Sequence, residues 1–177
     1  MATCNDKIVT ACRKGDSTAQ RTLYDCCAPR IFRLANRLVD KNDAEDIVQQ
    51  TFIRVFSSIN QFAGDSSFET WLFRIAVNEC LQHLRREKRR PISRELSESI
   101  PVDSQSMSRL EDQELLTSAL DRLDVDLRAV FLLREVEGMT YREISETTDV
   151  SEGTVASRLS RARSQLQEML AGLGWEP

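Results

Sequence analysis

Apolar residues recur at three- and four-residue steps along most of the chain, a spacing that predicts helices rather than strands. Between residues 6 and 39 it predicts two helices, broken near residues 14–16 and again around Pro29, with Ile8, Val9, Cys12, Leu23, Ile31, Leu34, Ala35 and Leu38 inward. A clearer helix starts at Asn42 or Asp43, with acids in its first turn where the helix dipole favours them. Its buried stripe is Ala44, Ile47, Val48, Phe52, Val55 and Ile59. The opposite side carries Asp46, Gln49, Gln50, Ile53 and Arg54. An outward Ile among amides and an acid suits either a docking surface or a solvated face with one stray apolar residue, and the pattern alone leaves both open.

The next segment, residues 62–90, holds an aromatic-bearing polar loop, a long helix and a cationic end. Gly64, Asp65, Ser66 and Ser67 are turn residues, and Ser67 is placed to cap a helix beginning near Phe68. Phe68, Trp71, Leu72, Ile75 and Ala76 share one face. Arg74, Asn78, Gln82, Arg85 and Arg89 recur along another. Arg, Asn and Gln are the side chains that meet phosphates and base edges, and the rings of Phe62 and Phe68 would stack on unpaired bases. A solvated polar face over a core of aromatics explains the same spacing, and on spacing Trp71 belongs to the core.

After Arg90 the texture changes to prolines, serines and acids, which predicts a linker over residues 91–109. Its residues 91–108 would span roughly 60 Å if extended at about 3.3 Å per residue. From Leu110 helices resume, first to Leu123 and then over residues 126–137, stopped by Gly138. Thr140 and Glu143 form a T-x-x-E capping box for a short helix ending near Thr147. Thr148, Asp149 and Val150 make the turn, and Ser151 caps a longer helix with Val155, Leu159, Ala162, Leu166 and Leu170 buried. Short capped helix, tight turn and longer capped helix is the pattern of a helix-turn-helix. Its outer face then holds Thr154, Ser157, Ser160, Arg161 and Ser164, flanked by Arg158 and Arg163. Small hydroxyls around an arginine allow close approach to base edges, and flanking arginines reach phosphates.

Scarce breakers, six glycines and four prolines in 177 residues, support an all-α chain of two small helical domains. The net charge of −4 does not suggest nucleic acid, but basic residues cluster at 85–90 and 158–163, and local patches matter more than the sum. No apolar run has the form of a signal peptide or the length of a membrane span, so a cytoplasmic protein without membrane insertion is expected. Five cysteines with no C-x-x-C suit reduced thiols. Cys80 and His83 are only two ligands, short of a zinc site, and vicinal Cys26 and Cys27 leave a redox role open. No nucleotide-binding G-x-x-x-x-G-K is present and no nucleophile and base pair suggests itself, so neither cofactor nor catalysis is expected.

Both halves resemble one family. The stretches DAEDIVQQTFIRVF (43–56), FAGDSSFETWLFRIAVN (62–78), LQHLRREKRR (81–90), LREVEGMTYREIS (133–145) and SEGTVASRLSRAR (151–163), in this order around an acidic linker, resemble an extracytoplasmic-function sigma factor of the sigma-70 superfamily. The resemblance implies a signal- or stress-responsive, non-enzymatic promoter-specificity subunit of bacterial RNA polymerase. It implies domains at 1–90 and 110–177. Asp43, Asp46, Gln49, Gln50 and Ile53 would dock on the clamp helices of the largest subunit, with the polymerase flap as a further contact. Phe62, Asp65, Ser66, Ser67, Phe68, Arg74, Asn78, Gln82 and Arg85 would recognise and open the minus-ten element. Thr154, Ser157, Arg158, Ser160, Arg161 and Arg163 would bind the minus-thirty-five element as duplex. Members of the group are often held inactive by an anti-sigma protein. Two departures bear on the upstream element: Ala156 stands where the family often has a basic residue, and Thr148 and Asp149 replace the usual Leu-Gly of the turn. Aspartate tolerates a left-handed backbone better than most residues, so the turn survives.

Overall fold

The computed structural model describes residues 6–89 and 107–172, and among these all regular structure is helical. Helix α1 (Asp6–Arg13) buries Val9 and Cys12, then Gly15 turns the chain with a φ of 80°. The Asp16 side chain accepts from the N–H groups of Thr18 and Ala19 and so starts α2 (Ser17–Leu38). The expected break at Pro29 is not there: α2 runs straight through it. Proline removes one backbone hydrogen bond. Leu23, Cys27, Ala28, Ile31, Leu34, Ala35 and Leu38 are buried on either side of it, and that burial holds the helix together.

Helix α3 (Lys41–Ser58) begins slightly before the expected Asn42 and buries the expected stripe as far as Val55, plus Thr51, whose hydroxyl donates to the Ile47 carbonyl, while Ile59 is buried just beyond its end. A 3-10 turn, Ile59–Gln61, leads through the loop to α4 (Phe68–Arg89). Helices α2, α3 and α4 pack together, and α1 lies on α2 and the 3-10 turn.

Most of the linker lies outside the described residues. Its last residues are helical, since α5 (Met107–Arg122) starts inside the segment read as linker. Helix α6 (Val125–Glu135) is capped by Asp124 and ends before Gly138, which has a φ of 71°. Helix α7 (Tyr141–Thr148) and α8 (Glu152–Gly172) follow, with α5, α6 and α7 all packed on α8. The two groups of helices also pack on each other, α7 against α4 and α5 and α6 against α2. Their buried side chains make one continuous core.

Candidate protein and nucleic-acid interfaces

On α3 the outward side chains Asp46, Gln49, Gln50 and Ile53 are exposed, and Ile53 keeps 61% of its surface in solvent. Asp43 differs. It lies half-buried with its Oδ2 3.1 Å from His83 Nε2 on α4, and one helical face further along Arg54 pairs with the buried Glu79 at 2.9 Å. These two contacts clamp α3 to α4, so the outward patch stands on a braced helix.

The loop before α4 is organised by Ser67, whose hydroxyl accepts from the Thr70 N–H at 3.1 Å and closes the first turn. Phe62, Phe68 and Trp71 form an aromatic cluster with ring centroids 5.4–5.7 Å apart. Arg13 lies over the Phe62 ring at 5.5 Å and donates to the Phe62 carbonyl. The expectation that the Phe68 ring could stack on a base is corrected here: only 4% of its surface is exposed, because it packs against Phe62 and Trp71 in the core. Phe62 is half-buried. Asp65 and Ser67 are exposed and Ser66 half-exposed, so the polar tip is what the loop presents.

Along α4, Arg74, Asn78 and Arg85 are exposed and Gln82 is half-buried, on one strip of the helix. Between residues 70 and 80 nearly everything else on α4 is covered. Besides the expected apolar face there is a second, with Thr70, Phe73 and Val77 buried, and helical spacing puts Leu81 and Leu84 beside them. That face meets α7, and Thr70 lies near enough to the Glu143 carboxylate to help hold it below its ordinary value. Arg30 of α2 lies over the Phe73 ring at 5.2 Å. The same guanidinium donates from Nε and Nη2 to Glu137 Oε2, at 3.1 and 2.8 Å. None of these links was legible in the sequence, because each joins residues far apart along it.

The second group has the local features the pattern implies. Glu143 accepts from the Thr140 N–H and hydroxyl at 2.8 Å, while the Glu143 N–H donates to the Thr140 oxygen at 3.2 Å. The Thr140 backbone and hydroxyl, with help from Thr70 and against a smaller effect of burial, hold the Glu143 carboxyl below its ordinary value. Asp149 adopts φ 55° and ψ 44°, the left-handed conformation that the turn requires. Ser151 accepts from the Thr154 N–H at 3.2 Å and caps α8.

On α8, Ser157, Ser160 and Arg161 are exposed and Thr154 is half-buried. Arg158 and Arg163 are held elsewhere: Arg158 Nη2 lies 3.0 Å from Asp126 Oδ2, and Arg163 Nη2 lies 2.5 Å from Glu135 Oε1, both acids on α6 or its first turn.

Cys12, Cys27 and Cys80 are buried and Cys26 is exposed. Burial first, then the neighbouring Glu79 carboxylate, pushes the Cys80 thiol up to about 12, which leaves it protonated and inert at neutral pH. Among the described residues no helix is long and apolar enough to cross a membrane, and no cluster of His, Cys, Asp and Glu has the makings of a metal site.

Residues 23–90 match the family Sigma-70 region 2 and residues 113–166 the family Sigma-70, region 4. The chain is 34% identical to the ECF RNA polymerase sigma-E factor of Haemophilus influenzae, with 94% of this chain and 95% of that one covered. It is 31% identical to the factor of the same name from Escherichia coli, with 94% of each covered. Two solved structures are similar over both groups of helices. CnrH in complex with the cytosolic domain of CnrY superposes with a TM-score of 0.73 at 25% identity, covering 96% of this chain and 98% of that one. The sigma factor RpoE in complex with the anti-sigma factor NepR from Bartonella quintana gives 0.71 at 28%, covering 85% and 96%.

Proposed function

The chain belongs to the extracytoplasmic-function group of sigma-70 factors, and from that premise we infer how its surfaces divide the work of promoter-specific transcription initiation. The protein associates with core RNA polymerase and promoter DNA. We assign polymerase docking to the α3 patch, where an exposed Ile53 beside Asp46, Gln49 and Gln50 supplies an apolar anchor within a polar rim, the composition of a protein interface. Asp43 contributes by fixing α3 through His83.

Residues 1–90 form the module that opens the minus-ten element, and residues 110–177 the module that binds the minus-thirty-five element as duplex. The observation that carries this division is that two separate helices, α4 and α8, each leave one strip of cationic and hydrogen-bonding side chains to solvent. On α4 that strip is Arg74, Asn78 and Arg85, approached from the loop tip at Asp65, Ser66 and Ser67. On α8 it is Ser157, Ser160 and Arg161. A base taken out of the stack costs a few kcal/mol, least where pairing is weak. Selectivity and melting therefore arise in one step, drawn from binding energy.

The protein acts without catalysis of its own: the Cys80 thiol is inert, and His83, the chain's one histidine, is occupied by Asp43. It works in the cytoplasm, where core polymerase is. An anti-sigma protein is its regulator, a reading supported by the RpoE relative seen in complex with one. Run-off transcription with purified core polymerase on templates recovered by start-site sequencing tests the function. Initiation that depends on the added protein is expected; binding to DNA with no gain in initiation would reassign it as an operator-binding regulator.

A further inference from the structure

Helix α8 carries three arginines, yet they are not equivalent. Arg158 is half-buried on Asp126, and Arg163, itself exposed, is paired with Glu135. Arg161 is exposed and has no partner among the described residues. The two acids sit nine residues apart on α6, about 13.5 Å along its axis at about 1.5 Å per residue. They reach α8 on both flanks of the strip that faces outward.

We propose that Asp126 and Glu135 are positioning residues for duplex recognition: they keep Arg158 and Arg163 off the phosphates and leave Arg161 to read the base edge between Ser157 and Ser160. The physical reason is competition for one group. A carboxylate and a phosphate oxygen take the same guanidinium fork, and a guanidinium already paired at 2.5–3.0 Å gains little by exchanging one anion for another. Each arginine withheld removes one phosphate contact and the counterion release that goes with it. Sequence-independent binding falls, while the contact made by Arg161 is untouched, so discrimination rises although the helix is rich in arginine.

The proposal rests on α8 being the duplex-binding helix, and the experiment separates that assignment from the role of the acids. The full-length chain is titrated onto a fluorescent mixed-sequence DNA duplex at several salt concentrations, and the slope of log affinity against log salt is read. Asp126→Asn and Glu135→Gln should each steepen the slope by about 0.9, the value for one added phosphate contact. Arg163→Ala should leave the wild-type slope unchanged yet cancel the gain of Glu135→Gln. Thermal melts of the acid variants check folding, and Arg163→Ala tests the idea independently of them. Unchanged slopes in both acid variants, or a shallower slope in Arg163→Ala alone, would overturn the proposal. On a duplex carrying the promoter recovered by start-site sequencing, weaker binding by Arg161→Ala supports α8 as the contacting helix; undiminished binding to that duplex would remove the reading on which the proposal stands.

Discussion

Arg30 on α2 and Glu137, just beyond α6, are joined by two hydrogen bonds at 3.1 and 2.8 Å, and this pair spans the two helical modules. The Glu137 side chain is 5% exposed and the Arg30 side chain 30%, so the acid depends on its partner far more than the base does. Removing Arg30 leaves a buried carboxylate unpaired and strips the cation from the Phe73 ring.

Arg30→Ala should therefore lower stability by roughly 1.5–3 kcal/mol, the worth of hydrogen bonds to a charged group. It should also loosen the packing of the modules. Small-angle scattering and a thermal melt on the free chain check this. An unchanged radius of gyration together with an unchanged melting temperature would show that the pair does not hold the closed arrangement.

The Glu143 carboxylate predicts an acid limb. Its folded value is depressed below the ordinary 4.5, so the stabilisation is fully present above that value and is lost as pH falls through the lower, folded one. Melting temperature followed downward through the carboxylate range should drop, and Glu143→Gln should flatten that drop while lowering stability at neutral pH. A variant with the wild-type acid profile would show that the capping box does not carry the dependence.

Thiol chemistry should distinguish Cys26 from Cys80. Cys26 is exposed, whereas the buried Cys80 thiol is protonated up to about 12. With iodoacetamide at neutral pH and peptide mapping by mass, Cys26 should label in the native chain and Cys80 only after denaturation. Equal labelling rates would mean that α4 opens on the timescale of the reaction.

Promoter opening is best probed at the loop tip. Asp65→Ala with Ser66→Ala should spare polymerase association while reducing permanganate-reactive thymines. Phe68→Ala is a poor probe, because a core aromatic cut to Ala costs about 3–5 kcal/mol and would unfold the module first. Undiminished thymine reactivity in the double variant would make the tip mere scaffold.

Local signals were legible in the sequence, and long-range ones were not. The Thr140 and Glu143 box, the Ser67 and Ser151 caps, the left-handed Asp149 and the stripe of Val155, Leu159, Ala162 and Leu166 all depend on neighbours within a turn or two. Pro29 misled because its local preference was outweighed by burial contributed from other helices. Phe68 misled because an aromatic beside a turn has the same spacing whether it faces core or solvent. The second buried face of α4 was invisible for a simpler reason: what covers it is α7, more than fifty residues downstream.

That doubly covered helix constrains how the chain can vary. On α4 the exposed strip bearing Arg74, Asn78 and Arg85, to which we assign the DNA contact, is free to be rewritten, whereas Thr70, Phe73 and Val77 answer to α7 and the core together. In a randomised library of this helix, survivors should scatter at the first three positions. At the other three they should be either unchanged or accompanied by compensating replacements in α7, so that promoter taste drifts cheaply and the seam between modules does not.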